Sequence, residues 1–145
     1  TTLLEELERA ETARTPFEPF LDGLIEFLVG FYGRLPGHVY GDVNLRNFIL
    51  SREGVYGVDL EEAEAGEKEA DVGKLAAHLI AYEPVCTPYK TSAVKYLVQA
   101  CIKTLCIDRQ KTLDGYARAM DEIKKRRAIR TRPCLGLNAF WNIEN

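Results

Sequence analysis

Three polar residues near the middle of the chain have the types and spacing that phosphate chemistry needs. Asp42 and Asn47 are five positions apart in a polar stretch, and Asp59 follows at the end of a β-rich segment. Phosphoryl transfer requires a positioned acceptor hydroxyl, a group that accepts its proton, and metal ions that neutralise the phosphate charge. Mg²⁺ prefers oxygen ligands and takes few of them from the protein. A carboxylate and an amide oxygen can therefore share the ion while a second carboxylate faces the acceptor.

A small β element is expected to position these residues. Residues 38–40 form a short extended piece, and two β-rich segments separated by a Gly turn over residues 48–58 predict a hairpin. Asn47 then lies at the entrance of the hairpin and Asp59 at its exit. We interpret the acidic residues 61–69 as a solvated loop.

Helical periodicity surrounds the hairpin. Apolar residues recur at spacings of three and four in the second predicted helix, which is typical of a buried helix. Thr15 is predicted to cap that helix, and Pro16 fits its first turn. The predicted helices cover residues 2–13, 16–34, 70–82, 89–107 and 110–130. The fold class is therefore mainly α with a small β-hairpin, an α+β arrangement.

Length and composition set limits on the kind of protein. The chain has 145 residues, 46% of them apolar and 28% charged, which is typical of one globular domain. No apolar run approaches the length of a membrane span, and the first 30 residues lack the pattern of a signal peptide. We therefore expect a soluble, cytoplasmic protein that does not enter a membrane. Four cysteines without a C-x-x-C and only two histidines argue against a structural zinc site.

The central motif resembles the catalytic and metal-binding loops of the protein-kinase-like superfamily. That likeness consists of D-x-x-x-x-N, formed by Asp42 and Asn47, then a hydrophobic triplet, a hairpin and a further Asp. Gly41-Asp42 is similar to the H-G-D form of the aminoglycoside and choline phosphotransferases, and to the small atypical kinase of the KEOPS tRNA-modification complex. The run V-D-L-E-E-A at residues 58–63 is similar to the I-D-F-E-D-A of the small-molecule kinases. This resemblance covers roughly residues 17–82 and implies a kinase-like C-terminal lobe.

The resemblance implies a role for each matched residue. Asp42 would be the catalytic base or would orient the acceptor, and Asn47 and Asp59 would bind the Mg²⁺ of Mg-ATP. Asp71, which opens the following helix, would brace the catalytic loop from below. A simpler interpretation is that Asp42 caps a turn and Asn47 satisfies loop backbone groups.

Two further residues have weaker assignments. Glu61 would contact a metal ion or the substrate, and Arg46 would steady a phosphate or the acceptor. Plain solvent exposure explains both residues equally well. His78 is expected to be a packed or surface histidine rather than a ligand.

The sequence departs from the superfamily at several points. Tyr40 stands where the family has a His two residues before the catalytic Asp. Residues 1–41 contain no Lys and no G-x-G-x-x-G, so the N-terminal nucleotide lobe is not recognisable. A longer parent chain or a partner chain supplies that lobe, or the protein no longer transfers phosphate. Eleven residues separate Asp59 from Asp71, which favours a small-molecule or KEOPS-like kinase over a regulated protein kinase.

Basic residues are concentrated in the second half of the chain. The first 71 residues carry 16 Asp and Glu against 6 Lys and Arg, whereas the remainder carries 6 against 13. A basic run ends the last predicted helix and consists of Lys124, Lys125, Arg126, Arg127, Arg130 and Arg132. It is either a solvated helix end that complements the helix dipole or a contact for RNA or another polyanion.

These observations predict a single kinase-like domain over residues 1–145. Residues 83–132 are a helical remainder, and residues 133–145 are a tail that docks on the body. The expected function is Mg-ATP-dependent phosphate transfer to a small-molecule or protein hydroxyl, with the acceptor unidentified. The alternative is an inactive kinase-like module that binds protein or RNA, and a metal-dependent hydrolase ranks last.

Overall fold

Helices make up most of the molecule. The computed structural model of the chain describes residues 1–58 and 63–127. The α-helices in these ranges are α1 (Leu3–Ala13), α2 (Glu18–Arg34), α3 (Lys68–Ala81), α4 (Pro88–Leu105) and α5 (Arg109–Arg127). The short strands are β1 (His38–Val39), β2 (Phe48–Ser51), β3 (Gly54–Gly57) and β4 (Glu64–Ala65), with a 3-10 helix at Leu45–Asn47. The prediction of a mainly α protein with a small antiparallel β element is confirmed.

The first two helices differ in how they begin. Thr2 and Glu5 form a reciprocal capping box at the start of α1. The predicted start of α2 is wrong, because Phe17 is the N-cap residue and no side chain caps this helix end. Thr15 belongs instead to the end of α1, where its backbone N–H donates to the carbonyl of Ala10 at 2.9 Å.

The hairpin has the predicted position. β2 pairs with β3 in antiparallel register from Phe48 opposite Gly57 to Ser51 opposite Gly54. The prediction that residues 61–69 are entirely loop is wrong, because β4 pairs with β1 in antiparallel register. A two-residue strand is too short to show an alternating pattern, so the sequence gives no signal for it. This pairing returns the chain to the start of the polar stretch after the hairpin.

Helix α3 lies at the centre of the fold and packs against α4 and α5. Its contact with α5 is unusually close at Gly73. A Cβ atom added there would lie 2.5 Å from the backbone nitrogen of Tyr116 and 2.6 Å from the carbonyl oxygen of Thr112. The absence of a side chain at Gly73 therefore fixes how α3 and α5 cross, and with it the wall that α5 presents to the site.

Two expectations about the wider chain concern the membrane and the tail. Within residues 1–58 and 63–127, no helix has both the length and the apolar character needed to cross a bilayer. The predicted docked tail, residues 133–145, lies outside the described residues.

Candidate functional site

The segment between β1 and β2, here called the Asp42 loop (residues 40–47), brings Asp42 and Asn47 together. Gly41 has φ = 90°, a backbone conformation that favours glycine and turns the chain into the loop. The side-chain amide nitrogen of Asn47 donates to the backbone carbonyl of Asp42 at 2.8 Å. Asn47 therefore satisfies loop backbone, as the simpler interpretation expects, but only through its nitrogen. Its amide oxygen takes no part in that bond and is the kind of ligand atom that Mg²⁺ prefers.

Asn44 organises the turn between these two residues. Its amide nitrogen donates to the carboxylate of Asp42 at 2.9 Å, and its amide oxygen accepts from the backbone N–H of Arg46 at 3.0 Å. The hydroxyl of Tyr82 accepts from the backbone N–H of Leu45 at 2.8 Å. The half-buried carboxylate of Asp42 is thus held in one orientation. Sequence reasoning missed both Asn44 and Tyr82.

Asp71 lies beneath the loop entrance and is only 2% exposed. Its carboxylate accepts from the backbone N–H groups of Tyr40 at 2.6 Å and Gly41 at 3.1 Å, and from the hydroxyl of Tyr32 at 2.5 Å. Burial raises the pKa of Asp71, while these three hydrogen bonds act in the opposite direction. One carboxylate therefore joins α2, α3 and the start of the loop.

Tyr40 occupies the position where the resemblance leads one to expect His. Its ring is fully buried and stacks on Phe48, with ring centroids 5.1 Å apart. Its hydroxyl donates to the backbone carbonyl of Val58, the residue before Asp59. A tyrosine is large enough to span from the loop entrance to the end of the hairpin, so it ties together the two segments that contain Asp42 and Asp59.

A cavity of about 160 Å³ lies in front of Asp42, between the loop and helices α3 and α5. Its charged lining residues are Asp42, Arg46, Lys74, Glu122 and Arg126, and His78 and Tyr82 are its other titratable ones. The ammonium group of Lys74 also donates to the backbone carbonyl of Gly41 at 3.1 Å. The cavity therefore joins the loop to side chains that are distant in the sequence.

His78 forms part of the cavity wall and stays neutral near neutral pH. Its pKa is lowered to about 4, first by burial and then by the positive charge of Lys74, while the charge of Asp42 acts in the opposite direction. Its ring stacks on that of Tyr82, with centroids 6.3 Å apart. His78 is therefore packed, as expected, but it also faces the candidate site.

The polar side chains along α3 that bond the loop or line the cavity had a recognisable signal in the sequence. Asp71, Lys74 and His78, with Tyr82 directly after the helix, recur at spacings of three and four, so they fall on one face of a mostly apolar segment. A polar stripe on a buried helix indicates residues that face a site or a hydrogen-bonding network. The predictions treated these residues separately, and so they missed the polar stripe.

The described residues of the predicted basic run have different surroundings. Arg126 lines the cavity, whereas Arg127 donates to the carbonyl of Ala81 at 2.7 Å and lies 3.6 Å from the carboxylate of Glu83. The other two described members, Lys124 and Lys125, are absent from the cavity lining. Among the described members of the run, Arg126 is therefore the one that lines this cavity.

Four predicted site residues, Asp59, Glu61, Arg130 and Arg132, lie outside the described residues. Among residues 1–58 and 63–127, no group of three or more His, Cys, Asp or Glu side chains could hold a metal ion. The expected pair of Asn47 and Asp59 would be a different kind of magnesium site, because it would use an amide oxygen and one carboxylate. The bond from the Asn47 nitrogen to the Asp42 carbonyl does not use the amide oxygen, which is the atom that such a site needs.

Comparisons with known proteins add nothing to this geometry. No protein-family model, curated protein or solved structure matches the chain. The interpretation of the site therefore depends on its own residues and contacts.

Proposed function

We propose that this chain is the catalytic lobe of a kinase-like phosphotransferase, which transfers a phosphoryl group from Mg-ATP to the hydroxyl of a small molecule or protein. The main support is the arrangement of the Asp42 loop. Asp42 and Asn47 are held together at the entrance of a hairpin, and Asp71 bonds the loop from beneath. A carboxylate facing a cavity and an amide oxygen next to it are the groups that this chemistry requires.

Asp42 is the candidate general base. Its half-buried carboxylate lines the cavity, so an acceptor hydroxyl can reach it. The hydrogen bond from Asn44 holds the carboxylate in place and leaves lone pairs to accept a proton. A positioned general base contributes roughly 10²–10⁴-fold to a rate.

Asn47 and Asp59 are the residues that would hold Mg²⁺. When bound, the ion supplies charge neutralisation on the transferred phosphate. The protein's own contribution is to fix the amide of Asn47 through its bond to the Asp42 carbonyl, and to fix the end of the hairpin through Tyr40. Asp42 is thereby left to face the acceptor.

The second candidate is an inactive kinase-like module that binds protein or RNA. Lys125 and Arg126 are exposed on α5 and would serve as contacts. The two candidates differ in whether Mg-ATP binds.

Calorimetric titration with a non-hydrolysable ATP analogue, with and without Mg²⁺, tests the proposal. We expect magnesium-dependent binding that is lost in Asn47→Ala and Asp59→Ala and kept in Asp42→Asn. Asp121→Asn, which removes an exposed carboxylate from α5, is the matched control and should behave as the unsubstituted chain.

Phosphate transfer is then measured on the longest natural chain that carries these residues. Asp42→Asn should lower the rate by about 100-fold or more while nucleotide binding persists. Absence of both binding and transfer would contradict the enzyme proposal and leave the binding module. Full transfer by Asp42→Asn would refute the role of Asp42 as the general base.

A further inference from the structure

The cavity in front of Asp42 has an excess of basic side chains from three separate segments. Arg46 comes from the loop, Lys74 from α3 and Arg126 from α5. Glu122 and Asp42 are the acidic residues of the same wall. In the proposed function Asp42 faces the acceptor hydroxyl, so the basic groups face the rest of the acceptor.

The two arginines of this wall are available to a ligand. The salt bridges of the described residues involve neither Arg46 nor Arg126, and both side chains belong to exposed residues. Arg127, the next residue on α5, differs because it is engaged by Ala81 and Glu83. A planar guanidinium without a carboxylate partner suits bidentate binding of a phosphate or carboxylate.

The electrostatic effect of these groups is visible at His78. After burial, the charges of Lys74, Arg126 and Arg127 all lower its pKa, and only Asp42 among the named charges raises it. Positive charge therefore outweighs negative charge at the His78 ring. A cationic acceptor would be repelled there, and an anionic one would be attracted.

The space available also limits the acceptor. The cavity of about 160 Å³ continues into a second one of about 400 Å³, and Arg46, His78, Tyr82 and Arg126 line both. The two arginines therefore lie at the junction of the two cavities. The second cavity adds Glu8, Glu83 and Arg127, so basic side chains outnumber acidic ones in the lining of both cavities.

We propose that the acceptor is a small hydroxyl compound that carries a phosphate or carboxylate group, which Arg46 and Arg126 bind. This inference rests on the proposed function. The acceptor oxygen forms a bond to the γ-phosphorus of ATP, the bond from that phosphorus to the β-γ bridging oxygen breaks, and ADP leaves. The hydroxyl proton passes to the carboxylate of Asp42.

The test measures binding of anionic probes to the full chain without nucleotide. Glycerol 3-phosphate and glycerate represent the two anionic groups, and glycerol and choline represent neutral and cationic hydroxyl compounds. We expect glycerol 3-phosphate or glycerate to bind, with affinity reduced about tenfold in Arg46→Gln and in Arg126→Gln because each loses a charge-assisted hydrogen bond. Lys125→Gln, which removes a neighbouring charge outside both cavities, should change affinity less than twofold. Circular dichroism melts confirm that each variant is folded.

Several results would overturn the inference. Equal or tighter binding of glycerol or choline, or unchanged affinity in both arginine variants, would show that the cavity does not select anions. Tighter binding of a short RNA, weakened equally by Lys125→Gln, would indicate an extended nucleic-acid surface instead. Anion binding at Arg46 and Arg126 in a chain with no phosphate transfer would refute the acceptor role and the proposed function together. Transfer to neutral acceptors alone would refute only the anionic acceptor.

Discussion

Replacing Gly73 with Ala should destabilise the fold by an amount that the α3–α5 contact allows us to work out. The new Cβ would meet three backbone atoms of α5, namely Tyr116 N at 2.5 Å, Thr112 O at 2.6 Å and Gly115 C at 2.7 Å. Backbone atoms inside a helix cannot rotate aside, so the two helices must separate. Overpacking costs about 1–3 kcal/mol, and three backbone clashes place this site at the upper end, about 3 kcal/mol, of which the better helix propensity of Ala returns about 1 kcal/mol. We expect a net loss of about 2 kcal/mol, which corresponds to a fall in Tm of about 7 °C for a chain of this size.

Gly33→Ala is the matched control for this prediction. Gly33 lies in the last turn of α2, and nothing would lie within 4 Å of its added Cβ. The same chemical change should therefore be neutral or stabilising by up to about 1 kcal/mol. Urea denaturation followed by circular dichroism measures both variants. If Gly73→Ala is as stable as Gly33→Ala, the close crossing of α3 and α5 is wrong, and the position assigned to Arg126 fails with it.

Three further perturbations test the network around the loop and the core. Burial raises the pKa of Asp71 above its ordinary value of 3.8, so the folded state holds the proton of this carboxyl more tightly than the unfolded state does. The free energy of unfolding, compared with that of Asp71→Asn, should therefore fall as the pH rises above about 4. A difference in unfolding free energy that does not change with pH would contradict this. Lys90 is 1% exposed and pairs with Glu11 at 2.5 Å, so Lys90→Met should cost about 3 kcal/mol in urea denaturation. Much of that loss should return in Lys90→Met combined with Glu11→Leu, and an additive double variant would refute the pairing. Tyr40→Phe leaves the Val58 carbonyl without its hydroxyl donor and should lower Tm by an amount equivalent to about 1–3 kcal/mol, whereas Tyr56→Phe, on an exposed side chain, should not.

The sequence predicted the elements more reliably than their contacts. The hairpin followed from two β-rich segments around Gly54, and the helices followed from apolar spacing, because both signals are local. The start of α2 was wrong because Thr15 has the chemistry of a cap but serves the end of α1. β4 was missed because two residues cannot show a period.

In the candidate site, too, local features were predictable and contacts between distant segments were not. The spacing of Asp42 and Asn47 predicted that they would lie close together, since five residues leading into a hairpin leave little freedom. The approach of Arg126 to Asp42 could not be predicted, because it depends on how α3 and α5 cross. That crossing is set by Gly73, whose importance is invisible until its neighbours are known.

The hydrogen bonds that hold the Asp42 loop have a consequence for how this protein could change over evolutionary time. The described side chains that bond the loop belong to the loop itself, to α3, or to Tyr82 directly after α3. Helix α5 instead supplies Glu122 and Arg126 to the opposite wall of the cavity. Substitutions on that face of α5 can therefore alter what the cavity accepts while the loop keeps its shape. A lineage of such proteins could diversify its ligands by varying one helix surface, and an engineer could do the same by exchanging those positions.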